Sequence, residues 1–349
     1  MDYYNQKQNP EKPKSRKLVG CLIGCLIAFG LLLLFLIVVA YLLFRAHPPV
    51  SEEQFFTPEL IGFARFQLDA LQKEPARQLF HKVLKNLNPP SQGKEPSDTN
   101  PESVWNALEI LFHKRHFVYL YQTEVEDKDY LIVVNIKRLS WIFSAIFKDV
   151  KNADIEKIPS PPKVKATCFR LKTTNAPLFI AISSGVVLIS NSESRLQSSL
   201  LLLRSEKPSR ELSPLAQSLL PQDNPLDMIN GFILWRGEWT ISLYKKILEE
   251  YPKSQERLDP LYQILAGIPV QGIKIGMSLS TTDVLDLKTS LQFPTPSEAS
   301  LYAERLNQCI PSLEIPKDVN ISVQPEGSAI HITLLIPGVE DWLEKSLRK

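Results

Sequence analysis

The sequence predicts an α+β protein, in which a single N-terminal transmembrane helix precedes an exported part of antiparallel sheets built from repeated hairpin-plus-helix units. Three observations predict it. Residues 18–44 carry no charge, alternating apolar and polar runs recur in pairs around polar turns, and an apolar helical stripe follows several of these pairs. The chain has 349 residues, of which 44% are hydrophobic and 22% charged, and this composition is typical of globular domains.

The uncharged run at residues 18–44 predicts a membrane-spanning helix, with the lipid bilayer as its partner. At a rise of ~1.5 Å per residue it exceeds the ~30 Å hydrocarbon core. Five Lys and Arg residues lie in the preceding segment, and only Arg45 follows closely, so residues 1–17 are expected to be a basic cytoplasmic tail and the rest extracytoplasmic. The alternative is a cleavable signal peptide, but its apolar core would span only about 7–15 residues.

One stripe of this helix consists of small residues. Gly20, Gly24 and Ala28 follow one another at intervals of four, a spacing that lets a second helix approach closely. The stripe predicts homodimerisation through the anchor. The alternative is that these residues reflect the general frequency of Gly in membrane helices.

The charge balance argues against nucleic acid as a partner. Without the six basic and two acidic residues of positions 1–45, 34 basic and 36 acidic residues remain. Nucleic-acid binding depends on a basic surface that displaces counterions from phosphates.

Four stretches read as strand, turn, strand and helix. A hairpin has one apolar face that a following helix can cover, so repeats of this unit predict antiparallel sheets backed by helices. The complete copies are 115–150, 164–203, 273–308 and 319–347, and the partial copies are 60–87 and 231–248. The Pro-rich segment 206–225 is expected to link a first α+β domain at 50–205 to a second at 226–349.

Residues that bind metals or cofactors do not form a convincing set. Glu109 and His113 are one helical turn apart, but His113 is better explained as a cation at the end of the helix 103–112. We therefore expect neither a metal nor a cofactor. Cys168 and Cys309 are predicted to lie in the exported part, either as a disulfide or as two separate buried thiols.

Nucleophilic catalysis has one weak candidate. Ser242 and Lys245 match the Ser-x-x-Lys pattern of penicillin-binding enzymes at a strand-to-helix change, but the companion Lys-Thr-Gly motif is missing from the sequence. A chance match is the competing explanation.

The segment 232–239 contains a pair of tryptophans. On a strand, Trp235 and Trp239 would share one face, with Arg236 and Glu238 on the other, and the two indoles could form a platform for a sugar or peptide. The alternative is that both rings lie in the core between sheet and helices.

Together these observations favour a single-pass, extracytoplasmic protein of the cell envelope that binds or assembles other components and is not an enzyme. Two alternatives remain: an envelope enzyme that uses Ser242 and Lys245, and a ligand sensor that signals through a partner.

Overall fold

A computed structural model describes residues 46–71, 73, 76–77, 101–122, 128–138, 154–172, 177–183, 185–205, 212–235, 268–280, 283–312 and 318–339. The segment expected to cross the membrane, 18–44, lies outside these ranges. Within the ranges, no helix is both long and apolar enough to cross a bilayer.

The described strands form one twelve-stranded antiparallel sheet, which confirms the predicted antiparallel pairing; several sheets were expected, and the described strands share one. The strands, in chain order, are β1 (Leu60–Gln67), β2 (Arg115–Gln122), β3 (Lys128–Asn135), β4 (Ile155–Ile158), β5 (Ala166–Leu171), β6 (Leu178–Ser183), β7 (Val186–Ser190), β8 (Asp227–Leu234), β9 (Gly272–Leu279), β10 (Val284–Gln292), β11 (Asn320–Glu326) and β12 (Ala329–Pro337). Across the sheet they run in the order β11-β12-β10-β9-β8-β1-β2-β3-β7-β6-β5-β4.

The helices are short. The described ones are α1 (Leu68–Leu71), α2 (Pro101–Leu111), α3 (Glu193–Leu202), α4 (Pro214–Leu219) and α5 (Pro296–Cys309), with 3₁₀ helices at Glu52–Phe55 and Ile310–Ser312. Helix α5 begins with a capping box, in which the Thr295 hydroxyl accepts from the Glu298 N–H while the Glu298 carboxylate accepts from the Thr295 N–H. Ser192 and Ser213 cap α3 and α4 in a similar way through their hydroxyl groups.

The predicted hairpins are present as β2–β3, β5–β6, β9–β10 and β11–β12. One detail differs. The apolar run 177–190, interpreted as a single strand, turns near Gly185 (φ 79°) and forms both β6 and β7. The unit at 164–203 is therefore a three-stranded meander followed by α3.

The strand order of the second half repeats that of the first. Outward from the centre, the first half reads β1-β2-β3-β7-β6 and the second reads β8-β9-β10-β12-β11. At the junction, Phe63 of β1 lies directly opposite Phe232 of β8, and each follows a glycine. The two halves are thus related by a pseudo-twofold axis through this pair, and β4 and β5 are an addition to the first half.

The described residues bury apolar clusters on both faces of the sheet in the first half and on one face in the second half. We call the face that carries Phe63 and Tyr119 the front and the other the back. In the first half the front is apolar, and α3, α4 and the 3₁₀ helix at Glu52–Phe55 pack on it. In the second half α5 packs on the back, where Ala299, Ala303 and Leu306 contact the cluster around Ile330.

The sheet continues across the predicted domain boundaries. Strand β1 of the predicted first domain pairs with β8 of the second, and within the predicted linker 206–225 helix α4 buries Ala216 and Leu219 in the first core. The division at 50–205 and 226–349 stays a prediction. It coincides with the two pseudo-symmetric halves, since β1 to β7 lie before the linker and β8 to β12 after it.

Candidate functional site

Charged and amide side chains are buried where β1 meets β8 on the front of the sheet. Arg65, Gln67 and Asn230 are only 3%, 2% and 2% exposed. Buried polar groups are costly unless they are hydrogen-bonded, so such a group indicates a structural or functional requirement. We call these residues, together with Glu52, Arg115, Asp223, Asn224 and Asp227, the central network.

Arg65 is the centre of this network. Its Nε and Nη2 donate to the two carboxylate oxygens of Glu52 at 2.8 and 2.7 Å, and its Nη1 lies 3.5 Å from Asp223 Oδ1. Arg115 also reaches Asp223, with Nη2 at 2.5 Å from Oδ2. The planar guanidinium matches a carboxylate in this two-point geometry, which fixes the orientation of both groups.

The segment before β8 is held by amide groups. Gln67 Nε2 donates to the Asn224 carbonyl at 2.8 Å, and Asn224 Nδ2 donates to Asp227 Oδ1 at 2.9 Å. Asn230 Nδ2 lies 3.3 Å from Asp227 Oδ2. Burial raises the pKa of Asp227, while the hydrogen bonds from Asn230 and Asn224 and the positive charge of Lys288 act in the opposite direction.

Beyond the network, the front of β9 to β12 is mostly polar, with Ala329 and Leu335 as apolar members. We call this area the polar front surface; its polar side chains, assigned from the strand registers, are Lys274, Ser278, Asp286, Lys288, Ser290, Gln292, Asn320, Ser322, Gln324, Glu326, His331 and Thr333. Lys288 Nζ forms an ion pair with Asp286 Oδ2 at 2.8 Å. Burial lowers the pKa of Lys274.

The surface has no counterpart in the described part of the first half. Lys274 and Ser290 occupy the positions that Tyr119 and Leu131 hold there, and both of those residues are fully buried. Among the described residues, the same sheet position therefore carries fully buried side chains in one half and partly buried polar side chains in the other.

A histidine pair lies at the opposite end of β2 and β3 from their connecting loop. His113 Nε2 lies 2.7 Å from the His47 carbonyl, and His116 Nδ1 accepts from the Asn135 N–H at 3.1 Å. Burial lowers the pKa of His116 to about 4, with a further contribution from His113, so His116 is neutral near pH 7. The geometry gives His113 a hydrogen bond to backbone at the end of α2. Among the described residues there is no group of three or more His, Cys, Asp and Glu side chains that could hold a metal ion.

A second buried arginine lies at the other end of β2. Arg195 Nη2 contacts Glu59 Oε2 at 2.6 Å, and its guanidinium carbon is 3.9 Å from the centre of the Tyr121 ring. Asp129 is 3.9 Å from Nε. These contacts attach α3 to β1, β2 and β3.

The arrangement of the central network ties distant pieces of chain to one another. Through Arg65 it connects the segment at Glu52 to β1, and through Asp223 and Asn224 it connects both to the entry of β8. Its members engage one another through oriented hydrogen bonds, which suits a role in holding the two halves in register. The polar front surface lies beside it and carries further hydrogen-bonding side chains.

The sequence-predicted site residues fall largely elsewhere. Trp235 directly follows β8, is partly buried, and packs against the second-half core. Its backbone N–H donates to the Gln271 carbonyl at 2.9 Å. Its proposed companions Arg236, Glu238 and Trp239 lie outside the described residues, so the platform stays a prediction. The same holds for the candidates Gly20, Gly24, Ala28, Ser242 and Lys245.

Cys168 and Cys309 are two separate thiols that do not form a disulfide. Cys168 is buried in the first core, and Cys309 is buried at the end of α5. Burial raises the pKa of the Cys168 thiol, which keeps it protonated at neutral pH.

Sequence reasoning did not identify the central network. A signal was present, because Arg65 and Gln67 alternate with apolar residues on the same side of a strand as Phe63. The pattern showed which face they share, but not that this face is buried.

No family model, no curated protein and no solved structure matches this chain.

Proposed function

We propose that this chain is a single-pass membrane protein whose extracytoplasmic sheet binds or assembles components of the cell envelope. The observation that carries the proposal is the uncharged run 18–44 with its preceding cluster of Lys and Arg, which fits a helix with its N-terminus in the cytoplasm. The polar front surface supports the binding role, because its charged and hydrogen-bonding side chains can be matched by complementary groups of a polar partner.

The anchor is tested by two arginines in its centre. On insertion scales each Arg at the middle of a membrane helix costs about 2.5–3.5 kcal/mol, so Leu33→Arg with Leu34→Arg should release the protein from alkali-washed membranes. The matched control is Leu33→Ile with Leu34→Ile, which should remain in the membrane. Retention of the Arg variant in the pellet would contradict the anchor.

The orientation is tested with an epitope tag after Lys349. Protease added outside intact cells, after permeabilisation of any outer envelope, should remove the tag from the wild-type protein. A cytoplasmic protein of known location serves as the control for lysis. A tag that stays protected until the membrane is dissolved would refute the extracytoplasmic placement.

The binding role is tested by charge changes on the polar front surface. Lys288→Glu reverses a side chain that is 63% exposed, and Lys163→Glu makes the same change on an exposed turn of the first half. After crosslinking in native membranes and purification of the full-length protein, partners that bind this surface should be lost from the first variant and retained by the second. An identical set of crosslinked partners from both variants and the wild type would refute a role for this surface.

The motif at Ser242 and Lys245 is the observation that favours an enzyme as the second candidate. If this serine is a nucleophile, an acylating probe labels it, and Ser242→Ala abolishes the label. The matched control is Ser254→Ala, which removes a nearby serine outside the motif and should leave the label unchanged. Labelling that persists in Ser242→Ala removes this candidate.

A further inference from the structure

Strand β11 forms one edge of the sheet. Among the described residues its strand neighbour is β12, with Asn320 opposite Leu335 at one end and Glu326 opposite Ala329 at the other. The side chains of Asn320, Ser322, Gln324, Pro325 and Glu326 are exposed. The edge is therefore accessible along most of its length.

The outward-pointing backbone groups can be assigned from the hairpin turn. Glu326 and Ala329 flank a two-residue turn, and such flanking residues form a hydrogen-bonded pair. Since hydrogen-bonded and non-hydrogen-bonded pairs alternate, the N–H and C=O groups of Ile321 and Val323 and the C=O of Pro325 point away from β12. The Val323 carbonyl accepts from Asn307 Nδ2 at 3.3 Å, which agrees with this direction.

The position of Pro325 fits the same assignment. A proline has no N–H, and at an outward-pointing position of an edge strand it costs the sheet no hydrogen bond to its neighbour.

The pseudo-symmetry of the sheet shows that such an edge can pair with a further strand. In the first half β6 holds the position of β11, and its outer side is paired antiparallel with β5 from Ala166 opposite Ser183 to Leu171 opposite Leu178. The described part of the second half contains no counterpart of the β4–β5 hairpin. Among the described residues, the edge that an added strand covers in the first half therefore has no added strand in the second half.

We propose that β11 pairs antiparallel with β11 of a second copy of this chain, so that two sheets join into one. Centred on Val323, this register sets side chains of the two copies opposite each other as follows: Val323 and the partner's Val323, Ser322 and the partner's Gln324, Ile321 and the partner's Pro325, Asn320 and the partner's Glu326. Each Val323 exchanges N–H and C=O with its counterpart, and each Ile321 N–H donates to the partner's Pro325 carbonyl. Asn307 gives up or shares its contact with the Val323 carbonyl.

Charge and strand length favour pairing through β11 over pairing through β4, the strand at the other edge. Glu326 is the one ionisable side chain of β11, and the register sets it opposite the amide of the partner's Asn320. Strand β4, at the far edge, has only four residues and carries Glu156 and Lys157, which are the features that protect an edge from pairing. Pairing β11 with itself is twofold symmetric and closes as a dimer. The proposal rests on the sheet and not on the membrane anchor.

The first experiment changes charge at exposed positions of the edge. In Ser322→Lys with Gln324→Lys, each new lysine lies opposite a lysine of the other copy, whereas in Ser322→Lys with Gln324→Glu it lies opposite a glutamate. Full-length protein in detergent is followed by sedimentation over a range of concentrations. We expect a wild-type dimer, about tenfold weaker association for the Lys–Lys variant, and association at least as strong as wild type for the Lys–Glu variant.

Equal association of both variants and the wild type, or a wild-type protein that stays monomeric, would overturn the proposal. Thermal unfolding of the variants shows whether the fold is retained, because both side chains are exposed and either pair of changes should leave the melting temperature nearly unchanged.

The second experiment tests the register. Copies with Ser322→Cys are mixed with copies with Gln324→Cys, both with Cys21 and Cys25 changed to Ser. Positions 322 and 324 form a non-hydrogen-bonded pair across the interface, where Cα atoms are about 4.5 Å apart and a disulfide is within reach. Mild oxidation should link the mixture and leave each variant alone unlinked. Linkage to a different protein, or equal linkage of either variant alone, would refute pairing with a second copy in this register.

Discussion

Gly231 lies at the junction between the two halves of the sheet, so Gly231→Ala is a direct test of that junction. Gly231 in β8 lies opposite Ala64 in β1. A methyl group at this position would overlap the Phe63 carbonyl oxygen and lie 2.8 Å from the Ala64 Cα atom. Both are backbone atoms of a paired strand, so no side chain can turn away to relieve the contact.

The expected cost follows from that geometry. Added methyl groups in packed interiors cost about 1–3 kcal/mol when side chains can adjust, and a backbone contact belongs at the upper end of this range. In a site that can accept it, replacing Gly by Ala raises the free energy of unfolding by about 0.4–1 kcal/mol, because Ala has fewer conformations in the unfolded chain. We therefore expect the free energy of unfolding to fall by about 2–3 kcal/mol.

The matched control is Gly276→Ala in the neighbouring strand β9. There the nearest atom to the new methyl group is Asp227 Oδ2 at 3.7 Å, which is an ordinary contact, so stability should be unchanged or up to about 1 kcal/mol higher. Urea unfolding of the full-length protein in detergent, followed by tryptophan fluorescence, measures the difference. If the two variants unfold within about 0.5 kcal/mol of each other, a figure close to the usual scatter for surface changes, the close approach of β1 and β8 is refuted.

Three further predictions concern the groups around the sheet. The pKa of His116 is lowered to about 4 in the folded chain, against about 6.5 in the unfolded chain, so the unfolded state binds more protons between these pH values. The free energy of unfolding should therefore fall by up to about 3 kcal/mol as the pH drops from 6.5 to 4. Urea unfolding of His116→Gln should show a weaker dependence on pH. Glu52→Gln leaves the buried Arg65 without its two-point carboxylate partner and should cost about 3 kcal/mol, measured in the same way; a loss below about 1 kcal/mol would show that the pair is not needed. Thr295→Ala removes the hydroxyl of the capping box and should cost about 1 kcal/mol, with Thr295→Ser as the control that keeps it.

The hairpins of the sheet were predictable because alternation is a local property. Strands β2 and β3, or β9 and β10, show apolar residues at every second position and a polar turn between them, and both features depend on residues near in sequence. The turn at Gly185 was missed although the sequence contains Ser-Gly there, since the apolar residues on both sides form an almost continuous run.

The order of the strands was not predictable in the same way. The alternation of apolar and polar residues shows which side chains share a face of a strand, but not which strands are neighbours. The pairing of β1 with β8 joins residues that are far apart in the chain, such as Phe63 and Phe232. The short strand β4 was not predicted, because it has only four residues and Pro159, Pro161 and Pro162 follow it directly. Helix α4 lies in the predicted linker 206–225, although a Ser followed by a Pro is typical of a helix start.

The central network shows a further limit. A strand in which Arg65 lies between Phe63 and Gln67 is compatible with a position at the edge or in the core of the sheet. The buried position is stable because Glu52 and Asp223, which belong to distant segments, contact the Arg65 guanidinium. Partners of this kind are brought together by topology, so composition and spacing do not reveal them.

The central position of β1 has a consequence for how the chain reaches this fold. Strand β1 is made early, yet one of its sides is completed only by β8, after the whole first half has been synthesised. Ladders that join distant segments form late, and during that interval a nascent chain exposes an unpaired strand to other chains. We therefore expect folding to finish only after Leu234, the last residue of β8, has left the ribosome. Until then we expect the newly made first half to depend on a chaperone.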